Sequence, residues 1–200
     1  MDEKHILAKA RRGETDAFEE LVRLYEKRVY AVALRSSGSP EDAADITQEV
    51  FLRAWRSIEG FRGDSGFATW LFRITMNLCV DHARRRQAQP QTQPLAADDE
   101  AERPIPDSAP TPEEQLENSE LGRELAAALG EVSGEHRQIV LLRDVAGLSY
   151  TEIAETLEIN EGTVKSRLSR ARLALRTVLL RRGNLLQRPA SNGTKGGGQA

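Results

Sequence analysis

Apolar residues recur at helical spacing along most of this chain. Phe18, Leu21, Val22, Tyr25, Val29 and Val32 fall on one face of an amphipathic helix. Ser39-Pro40-Glu41-Asp42 has the form of a helix start. Ser39 can cap, Pro40 suits the first helical position, and the acids meet the positive end of the helix dipole. The helix that follows presents Ala43, Ile46, Val50, Phe51 and Ala54 on one side. A glycine-containing break, GFRGDSG, comes next. Phe67, Trp70, Leu71, Ile74 and Leu78 then outline a further amphipathic helix, which ends in the basic run Arg84-Arg85-Arg86.

The pattern changes near the C-terminus. Ser149-Tyr150-Thr151-Glu152 is a capping box, and Tyr150, Ile153, Ala154 and Leu157 make the apolar side of a short helix. A brief turn, Glu158-Ile159-Asn160-Glu161-Gly162, separates it from a longer helix with Val164, Leu168, Ala171, Leu175 and Val178 on one face. Asn160 can cap that second helix, and Gly162 can take up backbone angles that other residues avoid. Lys165, Ser166, Ser169 and Arg170 fall on the opposite side of the wheel. A short helix, a turn and a second helix with a basic, polar outer face describe a helix-turn-helix suited to the major groove.

Charge sharpens this picture only after the chain is divided. The net charge is −3 over 200 residues, and residues 1–88 nearly balance, with fifteen Lys/Arg against fourteen Asp/Glu. Residues 89–112 carry six of the eight prolines and five acids against Arg103, with no apolar periodicity. That composition predicts a flexible, solvated linker. Residues 163–188 hold eight Lys/Arg and no acid. A solvated helix face ordinarily mixes signs, so an unmixed stripe favours a phosphate-facing surface. The Gly/Ser/Asn-rich end, residues 187–200, is expected to be disordered. The expected architecture is therefore all-α, with two small helical domains at 1–88 and 113–186.

Several function classes drop out. No stretch approaches the roughly 18–20 uncharged apolar residues of a membrane span. The charged N-terminus lacks a signal-peptide core. One cysteine, Cys79, allows no internal disulfide, and His5, His82 and His136 are scattered, so no metal or cofactor is expected. Cys79 lies in an apolar run and reads as a buried structural thiol rather than a nucleophile. There is no acid–base pair or nucleophile motif, so the chain does not read as an enzyme. A soluble, cytosolic, helical protein remains. Of the aromatics, Trp55 and Phe61 beside the glycine-rich break are the candidates for exposed base-stacking platforms.

The strings DAADITQEVFLRAW, FRGDSGFATWLFRITMN, RDVAGLSYTEIAETL and EGTVKSRLSRAR, in this order and spacing, resemble bacterial sigma factors of the extracytoplasmic-function class. The resemblance covers most of residues 1–186. It implies a sigma-2 domain and a sigma-4 domain that bind core RNA polymerase and direct it to the −10 and −35 promoter elements. It also implies an anti-sigma partner.

By the same resemblance, the helix bearing Asp45, Gln48, Glu49 and Phe51 would dock on the β′ clamp helices, and sigma-4 would meet the β flap. Phe61, Arg62, Gly63, Asp64, Ser65, Phe67 and Thr69, with Asn77, would form a −10 site that captures an extruded base. Thr163, Lys165, Ser166, Ser169 and Arg170 would face the −35 major groove, with Arg167 and Arg172 nearer the phosphates. A transcriptional regulator of another type would need a ligand pocket or phospho-acceptor on a βα fold, and residues 1–88 show no alternating strands. An isolated interaction module would not need the basic recognition helix.

Overall fold

The computed structural model describes residues 3–63, 65–88 and 120–186, and among them every regular element is helical. The expected linker at 89–112 and tail at 187–200 lie outside the described residues, as does Asp64.

In the N-terminal half, α1 (Glu3–Ala10) leads into α2 (Thr15–Ser37), α3 (Pro40–Ser57) and α4 (Phe67–Ala88). A 3-10 turn, Ile58–Gly60, follows α3. The start of α3 forms as its residues dictate: Ser39 Oγ accepts from the Asp42 N–H at 3.2 Å, with Pro40 at the first position. Before it, α2 stops at Gly38, whose φ of 74° turns the chain while its N–H donates to the Leu34 carbonyl at 2.8 Å. Non-glycine residues resist that left-handed conformation. Leu21, Val29, Val32, Ala43, Val50, Ala54, Leu71 and Phe72 are fully buried where the helices meet. Arg86 at the far end of α4 donates to the Ser37 carbonyl at 2.9 Å, so its basic end closes the C-terminus of α2. Cys79 is buried, and desolvation pushes its thiol up to about 11.

The C-terminal half comprises α5 (Glu120–Glu131), α6 (Gly134–Val140), a π-helical turn at Leu141–Val145, α7 (Tyr150–Leu157) and α8 (Glu161–Leu186). Leu129, Ile139, Leu141, Leu142, Leu148, Ile153, Val164, Leu168 and Ala171 form its apolar centre. The capping box at α7 is complete: Ser149 Oγ accepts from the Glu152 N–H at 3.2 Å, and Glu152 accepts from the Ser149 N–H at 2.7 Å.

The two halves share one continuous apolar cluster. Arg28 of α2 crosses between them. Its guanidinium lies 5.4 Å from the Tyr25 ring centre and 5.3 Å from that of Phe72, and its Nε donates to the Ala146 carbonyl at 2.9 Å. A desolvated cation over aromatic faces contributes on the order of 0.5–2 kcal/mol.

Candidate nucleic-acid interface

The helix-turn-helix consists of α7, the turn at 158–160 and α8. Its turn works differently from the expectation. The left-handed residue is Glu158, at φ 55°, and not Gly162. Gly162 lies inside α8, and a Cβ there would come within 3.3 Å of Asn160 Oδ1. The glycine thus makes room for the cap. Asn160 Oδ1 accepts from the Thr163 N–H at 2.8 Å and from its hydroxyl at 3.0 Å. Asn160→Ala should therefore lower stability by about 1 kcal/mol, the ordinary cost of a lost N-cap. A urea unfolding curve checks this.

On α8, Val164, Leu168 and Ala171 face the core, while Lys165, Ser166, Ser169, Arg170 and Arg172 are exposed. Thr163 and Arg167 are half-buried. Acids from neighbouring helices divide the basic stripe. Arg167 pairs with Glu135 at 3.3 Å, and Arg172 Nε donates to Asp144 at 3.2 Å. That carboxylate binds Arg172 through two nitrogens and raises its pKa above the ordinary value. Arg181 and Arg182 both bond Glu131 and hold its carboxyl below the ordinary range, with the Arg182 hydrogen bond as the leading cause. The unmixed run in sequence is thus a mixed surface in space. Lys165, Arg170 and Arg176 have no acidic partner among the described residues, and two of them are on the predicted reading face.

In the N-terminal half, Phe61 is 5% exposed and Phe67 2%, against the expectation that Phe61 would stand free as a stacking platform. Aromatic packing explains the difference: Phe61 meets Phe67 edge-on at 6.2 Å and Trp70 at 5.2 Å. Trp55 is half-buried, 4.9 Å from the ring of Phe18. Thr69 is fully buried. Arg62 and Gly63 are exposed, Ser65 is half-buried, and Asn77 is exposed one face away from the core. The loop therefore presents polar groups over an aromatic floor. Gly63, at φ 80°, makes its bend.

On α3, Asp45 and Gln48 are exposed and Glu49 is half-buried, bonding Arg53 at 2.6 Å. Phe51 lies in an open groove of about 590 Å³ between α2 and α3, which Gln48, Val22, Tyr30, Leu52 and Trp55 also line; Asp45 and Glu49 do not line it.

Residues 21–89 match the family model described as Sigma-70 region 2, and residues 122–175 match Sigma-70, region 4. The chain is 31% identical to the RNA polymerase sigma-H factor of Pseudomonas aeruginosa over 181 residues, 88% of this chain and 93% of that one. It is 32% identical to the ECF RNA polymerase sigma factor SigW of Bacillus subtilis, across 88% of this chain and 96% of that one. The chain belongs to the ECF RNA polymerase sigma factors. A longer relative, ECF RNA polymerase sigma factor SigE of Mycolicibacterium smegmatis, is 42% identical over 82% of this chain, which spans 62% of that protein. Among solved structures, CnrH in complex with the cytosolic domain of CnrY matches this sigma factor with a TM-score of 0.64 and 25% identity, over 90% of this chain and 97% of that one. The sigma factor RpoE of Bartonella quintana, in complex with the anti-sigma factor NepR, matches with a TM-score of 0.61 and 26% identity, over 82% and 96%.

In this sigma factor the two DNA-facing candidates are on different halves, and α3 carries the remaining candidate surface. Reading the sequence missed Arg28 and Arg73, which join the halves. Arg73 Nη2 donates to the Glu155 carbonyl at 2.6 Å, a bond spanning 82 positions of chain that no local pattern announces. Among the described residues no group of His, Cys, Asp and Glu is placed to hold a metal ion, and no helix is long and apolar enough to cross a membrane.

Proposed function

We infer that this chain binds core RNA polymerase and directs it to promoters, with residues 1–88 melting and reading the −10 element and residues 113–186 reading the −35 element. The observation that carries the reading is the outer face of α8. Lys165, Ser166, Ser169 and Arg170 are exposed there on a capped helix whose inner face is fixed in the core, and neither cation is paired to an acid among the described residues. Arginine and lysine in that setting suit guanine edges, and serine suits either base type. Arg167 and Arg172, steadied by Glu135 and Asp144, suit phosphate contacts from fixed positions.

For the −10 element, Arg62, Gly63, Ser65 and Asn77 are the exposed contacts, with Asp64 in the same loop. Phe61, Phe67 and Thr69 shape the floor beneath a captured base. Extrusion suits this task, because single-stranded base edges become readable once they leave the stack. Asp45, Gln48 and Glu49 offer polar groups on α3 to the β′ clamp helices, with Gln48 also lining the apolar groove that holds Phe51, and the sigma-4 half meets the β flap. The chain would act as a non-catalytic specificity subunit in the cytoplasm. An anti-sigma factor is the inhibitor this reading adds, by likeness to CnrH with CnrY and to RpoE with NepR.

The test is reconstitution. Purified chain with core polymerase should start transcription at discrete sites from a random promoter library, and core polymerase alone should not. Equal, scattered initiation with and without the chain would defeat the reading.

A further inference from the structure

The basic run that ends α4 meets the start of α5 beside the C-terminal end of α2, and the space they enclose plays no part in either promoter contact. A cavity of about 660 Å³ there is lined by Arg35 and Ser37 of α2, Arg86 of α4 and Arg123 of α5. A second, of about 500 Å³, shares Arg35, Ser37 and Arg86 and adds His82 and Arg137. The two form one cleft in which four arginines and a histidine converge. Among the described residues no carboxylate lines either part. A cleft lined by one sign of charge focuses its field and concentrates counter-ions. Leu34, Pro40, Ala126 and Ala127 supply the apolar part of the lining.

The fold fixes these cations without neutralising them. Arg137 donates from Nε to the Leu129 carbonyl at 2.7 Å and from Nη2 to the Gly130 carbonyl at 2.8 Å, where α5 ends. Both acceptors are neutral groups, and burial pulls the Arg137 pKa below its ordinary value. Desolvated charges are ordinarily paired, because an unpaired one is costly. Arg86 donates from Nη1 to the Ser37 carbonyl, and the same nitrogen lies 3.8 Å from Asp42, a carboxylate that also meets His82 at 3.2 Å. Arg123 is exposed and has no hydrogen-bond partner among the described residues. Asp42 and the two helix ends bring roughly two negative charges between them. Arg86, Arg123 and Arg137 already exceed that before Arg35 and His82 are counted. A guanidinium has five N–H donors in a planar fork, so each of these three keeps donors for a further acceptor.

We propose that this cleft is a binding site for the polyphosphate group of a small molecule, with nucleoside polyphosphates as the class it fits. Phosphate oxygens accept paired hydrogen bonds from a guanidinium, and several arginines around one cleft call for more than one phosphate. The cavity volume lies within the range of about 300–1,000 Å³ usual for small-ligand sites. Inorganic polyphosphate shares the phosphate chemistry, but the apolar lining gives a nucleoside a surface to rest on. Arg86 and Arg137, held by carbonyls, offer fixed donors, and Arg123 is the free arm that closes on the anion. None of these residues belongs to the promoter-reading faces, so the site stands independently of them.

The experiment uses the full chain, labelled with nitrogen-15, without polymerase or DNA. It is titrated with adenosine triphosphate, tripolyphosphate and orthophosphate at one ionic strength while amide resonances are followed. Gly38, Gly122 and Gly130 line the cleft, so their signals should move saturably, while those of Gly162 and Gly183 in α8 stay in place. Adenosine triphosphate should bind at least about tenfold more tightly than orthophosphate, the scale of added charge-assisted hydrogen bonds. Tripolyphosphate should fall between them; if it equals the nucleotide, the site holds and its ligand is the inorganic chain. Arg123→Ala removes no bond among the described residues and should weaken nucleotide binding about tenfold, with unchanged helix content by circular dichroism. Arg86→Ala is the second variant and should act in the same direction. Arg11→Ala with Arg176→Ala removes two exposed cations elsewhere and should leave the binding as it was. Shifts that never saturate or that spread along α8, or an equal loss in the Arg11 and Arg176 variant, would overturn the site in favour of diffuse charge attraction. A single-stranded oligonucleotide that moves the three cleft glycines at lower concentration than the nucleotide would also overturn it.

Discussion

Core RNA polymerase is expected to tighten the hold of this chain on promoter DNA by at least about a hundredfold over the free chain. Two weak sites on one chain gain affinity when a scaffold fixes them at the spacing of their targets, by about 10²–10⁴ in typical cases. Each half is expected to bind weakly alone. Residues 1–88 carry almost balanced charge, and the strongly acidic stretch that follows repels phosphate. Four arginines of α8 are already bonded to acids of the same half. The Arg28 and Arg73 bonds, moreover, hold the halves together rather than at the separation of two promoter elements. Fluorescence anisotropy of a labelled promoter, with and without core polymerase at one salt concentration, measures the ratio. Tight, sequence-specific binding by the free chain would instead mark an ordinary repressor or activator.

The second large effect concerns Asn77. Its amide offers a donor and an acceptor, the combination needed to read the edge of an extruded base. It is exposed on α4, while its neighbours Met76 and Leu78 are buried and carry the packing of that turn. Asn77→Ala should therefore leave the melting temperature, core binding and −35 preference intact. Open-complex formation should fall by roughly 1–3 kcal/mol, the worth of one good base contact. The measurement varies each −10 base in turn beside a thermal melt. A lowered melting temperature with unchanged base preference would make Asn77 a structural residue.

Local chemistry was the readable part of this sequence. The caps at Ser39, Ser149 and Asn160 act through bonds three residues away, so composition and spacing suffice to find them. The buried faces of α2, α3 and α8 follow from their apolar periodicity in the same way. What escaped depends on distance along the chain. Phe61 follows a glycine, and its neighbours in sequence do not reveal that Phe67 and Trp70 will enclose it. Arg172 looked free because no acid is near it in sequence, yet Asp144 reaches it from 28 positions away. Glu158, directly after α7 ends at Leu157, takes the left-handed angle, and the freedom of Gly162 goes instead to making room beside the Asn160 cap inside α8. The contacts between the halves, such as Arg28 with Ala146 across 118 positions, had no local signature.

The central claim is that two separate surfaces read two separate promoter elements. The most direct measurement is initiation by the reconstituted holoenzyme on a library randomised at both elements, comparing the unaltered chain with Asn77→Ala and Arg170→Ala. Asn77→Ala should alter base preference only within the −10 window. Arg170→Ala should relax preference at one −35 position, by about 1–3 kcal/mol, and leave the −10 window as it was. Preferences that shift together in both windows, or in neither, would contradict the account.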